Sequence, residues 1–252
     1  MRELWSRLRP HVETRRGTAS VALAALAVHG IQTVIWPVVP GRDYVTYMRV
    51  YAEMWNWHSL IPWEMMWRMP VAPAVLGIPL DLFGPWGARI AITAGFVAVV
   101  TVWFSIARRY GPACAVAVAA ALLLTPSFGL LFHRYSSDVV TAVAFTLLAL
   151  AFVRLWEHPS TRRAAVAGLA LIPVALTRPA NQVVVAIVLT PLLLATTRAE
   201  RLRSAALMAT IVIVPLGTWT ILNGARFDDR ALSRGGGAWL PFYRAYVTDG
   251  II

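Results

Sequence analysis

The stretch TASVALAALAVHGIQTVIWPVV, residues 18–39, carries no acid or arginine and runs straight into Pro40-Gly41-Arg42-Asp43-Tyr44. As a helix it is long enough to cross about 30 Å of hydrocarbon. A basic region (Arg2, Arg7, Arg9, Arg15, Arg16) precedes it, and no small-residue cleavage site ends it. It therefore reads as a spanning helix and not as a cleavable signal. An aspartate at the mouth of such a helix is costly to keep there and is a functional candidate. The pattern recurs in His133-Arg134-Tyr135-Ser136-Ser137-Asp138, where a second acid opens a later apolar segment.

The rest of the chain extends this reading. Of its 252 residues 58% are hydrophobic and only 14% charged, with mean hydropathy +0.63. A soluble domain is nearer a quarter charged. The expectation is an all-α polytopic membrane bundle. The net charge of +11 invites a nucleic-acid partner. The arginines, however, lie in short clusters between apolar runs, which is the positive-inside pattern of a membrane protein. All 23 basic residues are arginine, which we take as codon bias. Cys114 is alone inside an apolar run and reads as a packing residue.

Seven spans are expected, at 18–39, 87–107, 112–132, 138–156, 164–180, 182–198 and 204–222. The fifth and sixth are separated only by Arg178-Pro179-Ala180-Asn181, and Pro173, Pro179 and Pro191 point to tilted or broken helices there. With the N-terminus inside, the cytoplasmic loops carry 13 Arg against four acids and the outer loops ten Arg against eight. That bias favours N-in, C-out. It would put Asp43, Arg134, Asp138, Arg178 and the C-terminal tail on the outer face of a plasma (inner) membrane.

Three regions follow: a basic tail at 1–17, a transmembrane domain at 18–222, and an outer segment at 223–252. Within the domain, the loop 40–86 is too long for a simple connection. Tyr44, Tyr47, Met48, Tyr51, Met54, Trp55 and His58 recur at roughly helical spacing, and Trp63, Met66 and Trp67 continue the theme. Amphipathic helices lying in the interface are expected. Residues 70–83 are apolar but short and hold three prolines, so a re-entrant or interfacial segment is expected there. After 222 the composition turns polar (Asn223-Gly224, Asp228-Asp229, Gly235-Gly236-Gly237), which reads as a loop. The glycine run lacks the strand, helix and lysine of a phosphate loop. The end at Asp249-Gly250-Ile251-Ile252 suggests the N-terminal part of a longer protein.

The order of these features resembles the GT-C superfamily of polytopic glycosyltransferases, in particular the protein O-mannosyltransferase and lipid A aminoarabinose-transferase type. The similarity rests on Gly41-Arg42-Asp43-Tyr44 after the first span and on Met69-Pro70-Val71-Ala72-Pro73 in the long loop. It continues through Phe83-Gly84 and Ala88-Arg89, Arg108-Arg109, the pair Arg134 and Asp138, and Gly168-Leu169-Ala170 through Thr177-Arg178-Pro179. It covers about residues 18–200. The resemblance implies transfer of a sugar from a polyprenyl-phosphate donor to a lipid, polysaccharide or protein acceptor. It implies Asp43 as the catalytic acid and Arg178 near the lipid phosphate. The family pattern often has Asp-Glu where this chain has Asp43-Tyr44.

The residue types fit that chemistry. An inverting displacement needs one base for the acceptor proton and cations for the departing phosphate. Asp43 is the expected base. Arg178, Arg134 and Arg42 are the expected phosphate-binding groups, since guanidinium matches phosphate geometry. Asp138 would position the acceptor or share a divalent metal, Mg or Mn, with Asp43. Structural alternatives stand beside each role. Asp43 could pair with Arg42 or Arg89, Asp138 could cap its helix, and Arg178 could snorkel. His58 and His133 read as interfacial polar groups, and Asp228-Asp229 as a solvated loop. The rival functions are a transporter or flippase, and a non-catalytic truncated relative.

Overall fold

The computed structural model describes residue 10 and residues 12–234. The basic residues Arg2, Arg7 and Arg9, the Gly235–Gly237 run and the tail to Ile252 lie outside the described residues. The fold is almost wholly helical. Four of its helices are long and apolar enough to cross a membrane. The chain divides into two compact units, the first formed by residues up to Tyr44 with Ile78–Arg154, the second by Val45–Gly77 with residues from Leu155 onward.

The first unit begins with α1 (Arg15–Ile35), started by Thr14, whose hydroxyl accepts from the Gly17 N–H at 3.4 Å, and ended before Trp36-Pro37. A two-residue strand β1 (Val39–Pro40) follows. Helix α4 (Val71–Ala107), after α2 and α3 described below, is continuous in outline but breaks at Gly84 (φ 57°, ψ −147°). That left-handed glycine ends one helix, and Pro85 starts the next with its φ already helical. The chain turns so tightly that a Cβ on Gly87 would lie 1.8 Å from the Pro79 carbonyl oxygen. The expected boundary near 87 is thus real, while residues 71–83 are helical despite their prolines. Pro73 lies in the first turn, where its missing N–H costs nothing.

After a short 3-10 turn (Arg108–Tyr110) come α5 (Pro112–Leu124) and α6 (Pro126–Leu131). The single span expected at 112–132 is therefore split, because Pro126 removes an amide that α5 would need to continue. Strand β2 (Arg134–Tyr135) leads into α7 (Ser137–Glu157). Phe96 packs against Phe128 and Phe132, with ring centroids 5.6 and 5.4 Å apart, and Trp103 donates to the Thr146 hydroxyl at 3.1 Å.

In the second unit, α8 (Thr161–Ala175) is capped by Ser160 and α9 (Arg198–Phe227) by Thr197, each hydroxyl accepting an amide three residues on. Ala164, Ala167, Gly168 and Leu171 are fully or nearly fully buried on one face of α8. Gly168 lets the helices approach until its Cβ position lies 3.3 Å from the Met208 carbonyl of α9. Small residues at such a seam gain close van der Waals packing, the main attraction available between helices in lipid.

Between these helices runs a 3-10 helix, Pro179–Leu193, 15 residues long. Such helices rarely exceed four residues. At about 2.0 Å rise per residue this one covers about 30 Å, where an α-helix of the same length would fall short. Exposed positions recur every third residue, at Ala180, Val183, Ala186, Leu189 and Leu192, with Leu193 also exposed at the end. The apolar run expected as a sixth span, 182–198, thus lies mostly in a 3-10 element with its own period.

The long loop carries α2 (Tyr44–Glu53) and α3 (Pro62–Trp67), as the aromatic spacing predicts. Tyr47 and Val50 are buried, while Trp55 and Trp57 are exposed. Arg49 pairs with Glu64 at 2.7 Å, and Arg68 lies 4.9 Å over the Tyr47 ring. The last helix runs five residues further than expected, to Phe227, and ends on Asp228 in the left-handed region (φ 53°). The chain then folds back. Asn223 donates to the Ala231 carbonyl at 2.9 Å, and the Arg234 amide donates to the Met66 carbonyl at 2.9 Å. Asp229 accepts from the Arg234 guanidinium at 2.5 Å and from the Ala231 amide. Residues 228–234 form a loop, with Asp228 exposed, that these bonds tie down.

Arg226 joins these pieces. Its guanidinium donates to the carbonyls of Glu53, Met54 and Asn56, the acceptors left over where α2 ends. Arg226→Ala should lower the stability of the detergent-solubilised protein by about 2 kcal/mol. Limited proteolysis should then open first between residues 53 and 62. An unchanged unfolding midpoint and unchanged cleavage would refute this capping role.

Candidate functional site

The two polar junctions that stand out in the sequence meet in the first unit. The Val39 amide donates to the His133 carbonyl at 2.8 Å and the Gly41 amide to the Tyr135 carbonyl at 3.1 Å. These bonds pair Val39 with Arg134 and Pro40 with Tyr135 in parallel. Gly41 still lies against Ser136, and Asp43 and Asp138 each follow the last bridge residue of their own strand by three positions. Beyond this point the chain turns helical on both sides. Asp43 immediately precedes α2, and Asp138 lies in the first turn of α7. Both acids stand where a helix N-terminus favours negative charge. Because α7 already begins at Ser137, Asp138 lies inside the helix and not at the N-cap position considered above.

Gly41 is essential to this closeness. A Cβ there would lie 2.6 Å from the Ser136 Cβ and 3.1 Å from the Tyr135 carbonyl oxygen. Beside the bridge, Tyr44 and Tyr135 bring their rings to 6.1 Å. They share a cavity of about 200 Å³ with Pro40, Leu80, Pro85 and Arg89. Arg89 lies 5.1 Å over the Trp86 ring. Burial, helped by the neighbouring Tyr44 phenol, raises the Tyr135 pKa, so this hydroxyl stays protonated as a donor.

Preceding β2 in the chain, His133 is buried and stacks on His29 with ring centroids 5.0 Å apart. His29 Nε2 is 3.5 Å from the Phe132 carbonyl and Nδ1 is 3.1 Å from the Thr93 hydroxyl. A neutral ring meets both, donating from Nε2 and accepting at Nδ1. Neither ring nitrogen of His133 reaches a hydrogen-bond partner. The Trp36 carbonyl favours the protonated ring without meeting hydrogen-bond geometry. Burial is the larger effect and lowers the His133 pKa.

Arg178 belongs to the second unit. It is the residue before the long 3-10 helix, at a corner held by several bonds. The Val71 amide donates to the Leu176 carbonyl at 3.1 Å, and Asn181 donates to the Val174 carbonyl at 3.2 Å. The Thr177 hydroxyl donates to the Pro173 carbonyl, and Gln182 reaches the Met69 sulfur at 3.8 Å. The Met69–Pro73 and Thr177–Pro179 motifs are therefore neighbours in space. Arg42, Asp43, Arg134 and Asp138 are grouped in one unit, and Arg178 is fixed in the other.

Among the described residues no group of three or more His, Cys, Asp or Glu side chains gathers as a metal site. Asp43 and Asp138 could still serve Mg, which keeps most of its waters and takes only one or two carboxylates beside substrate phosphates. Three contributors were not legible beforehand: the steric need at Gly41, the donor Tyr135 and the buried His29. No family model, curated relative or solved structure matches the chain. The chemistry must therefore be argued from these residues.

Two outcomes test the bridge. Gly41→Ala should cost about 1–3 kcal/mol through overpacking. Gly30→Ala in α1, where an added Cβ meets nothing within 4 Å, should gain up to about 1 kcal/mol. Equal midpoints for the two variants would remove the steric argument. The second test concerns His133, which is held neutral in the folded protein. Its unfolded form takes up a proton below about pH 6.5, so its contribution to stability is present above that pH and lost as pH falls. His133→Phe should flatten the fall in unfolding midpoint between pH 7 and pH 5, and an unaltered slope would contradict the assignment.

Proposed function

We propose that the protein is a membrane glycosyltransferase of GT-C type with about seven membrane-crossing segments, N-in and C-out. It takes a sugar from a polyprenyl-phosphate donor and transfers it, with inversion, to an acceptor outside the cytoplasm. The observation that carries this reading is the parallel bridge of Val39–Pro40 with Arg134–Tyr135, which joins the segment leading to Arg42 and Asp43 to the segment leading to Asp138. Carboxylates and guanidiniums gathered at the end of an apolar bundle are what a lipid-borne phosphate and a hydroxyl nucleophile require.

In this reading Asp43 takes the proton from the acceptor hydroxyl. The acceptor oxygen attacks the anomeric carbon as the bond to the phosphate oxygen breaks, and polyprenyl phosphate leaves. Arg42 and Arg134 offset the charge that develops on it, and Arg178 is the further phosphate-binding group. Asp138 orients the acceptor or shares a divalent cation with Asp43. The exposed tryptophans at 55 and 57 suit a loop lying in the interface.

A transporter is the second reading. The buried His29–His133 pair favours it, because titratable groups among apolar helices can carry protons. Transfer from labelled polyprenyl-phosphate sugars, assayed in membranes, separates the two. The wild type should transfer sugar, and Asp43→Asn should reduce the rate by about 10²–10⁴-fold at equal protein level. Equal transfer by both proteins would remove Asp43 from the mechanism. A topology probe placing residue 43 in the cytoplasm would overturn the reading altogether.

A further inference from the structure

At the opposite end of the first unit four arginines line one hollow. Arg15 opens α1, Arg108 and Arg109 form the 3-10 turn after α4, and Arg154 lies in the last turn of α7. With Thr18 and Ser105 they surround a cavity of about 480 Å³. The Arg108 guanidinium donates to the Thr14 carbonyl at 3.0 Å and the Thr18 hydroxyl at 3.1 Å. These neutral acceptors fix the side chain without cancelling its charge.

Helix dipoles explain only part of the cluster. Cations are favoured where α4 and α7 end, but Arg15 stands at the start of α1, where the dipole opposes a cation. The first turn of α1 has no acid. Four guanidiniums around one hollow offer a polyvalent anion several charge-assisted donors. An anion in the hollow would meet the guanidiniums and the positive end of α1 together.

The hollow also lies beside an apolar groove. Val102 lines both it and a groove of about 840 Å³ between α1 and the later half of α4. Leu23, Leu26, Ile90, Ala94 and Val97 are among its walls. The groove runs along α4 from Val102 to Trp86, about 24 Å at helical rise. A charged chamber adjoining an apolar groove matches a ligand with an anionic head and a long chain. A free anion would need the chamber alone.

We propose that this is a binding site for a phosphate-bearing lipid, with the phosphate among Arg15, Arg108, Arg109 and Arg154 and one hydrocarbon chain along the α1–α4 groove. It rests on the membrane character of these helices and is independent of sugar transfer. Basic chambers between helices at the arginine-rich end of a bundle suit anionic headgroups.

The test uses the full chain in phosphatidylcholine nanodiscs with a phosphatidic acid carrying a photoreactive group in mid-chain. Labelling should fall on residues 22–33 and 86–102, and unlabelled phosphatidic acid should compete where added phosphatidylcholine does not. The double variant Arg108→Ala/Arg154→Ala should lower labelling about tenfold. Arg16→Ala, outside the hollow, should leave it unchanged. If the double variant does not fold, Arg154→Ala, whose side chain is exposed, should lower labelling several-fold, with recovery in Arg154→Lys. Labelling spread evenly over apolar helices and indifferent to these variants would overturn the site. Competition by inorganic phosphate as strong as that by lipid would overturn the lipid assignment in favour of a soluble anion.

Discussion

Two backbone hydrogen bonds, from Val39 to His133 and from Gly41 to Tyr135, organise the polar end of the first unit. Where water is scarce, an unpaired amide or carbonyl is costly. The chain leaving α1 and the chain entering α7 satisfy each other there with two residues of strand apiece. That small bridge orders everything near it. It joins the segments that lead to Asp43 and to Asp138, presses Gly41 onto Ser136, and brings Tyr44 to Tyr135. The catalytic proposal depends on this bridge more than on any single side chain, because the bridge determines which groups can act together.

The two units solve their packing differently. The first relies on aromatic contacts around Phe96 and on hydrogen bonds such as Trp103 to Thr146. The second uses the small-residue face of α8 against α9, and ties its extramembrane segments together through Arg226. In each unit one candidate region is held by backbone carbonyls and amides. This is the kind of support that keeps a charged side chain in one place without depending on neighbouring charges.

Much of this was readable from local pattern. The apolar runs announced the helices, the aromatic spacing announced α2 and α3, and the motif order brought Asp43, Asp138 and Arg178 forward. The failures were physical. Periodicity does not distinguish an α-helix from a 3-10 helix in a run such as Val183–Leu193, where every residue is apolar apart from Thr190. Composition ended the last helix at 222, although it runs to Phe227, and it gave no sign of the bond from the Arg234 amide to Met66, 168 positions away. The α5–α6 break was visible as Pro126 but outweighed by the hydropathy around it. The role of Gly41 was hidden because it depends on a partner 95 positions away.

The long 3-10 helix has a consequence for how the sequence can change. In an α-helix no short deletion restores every side chain to its face, since the turn is 3.6 residues. Here the exposed stripe repeats every three residues, from Ala180 to Leu192. Removing one whole triplet keeps each remaining side chain on its original side and shortens the element by about 6 Å. Removing a single residue ahead of Val188 rotates everything beyond it by about a third of a turn and carries Leu189 from the exposed side into the buried position. Length in this segment can therefore change in steps of three without turning any remaining side chain to a new face.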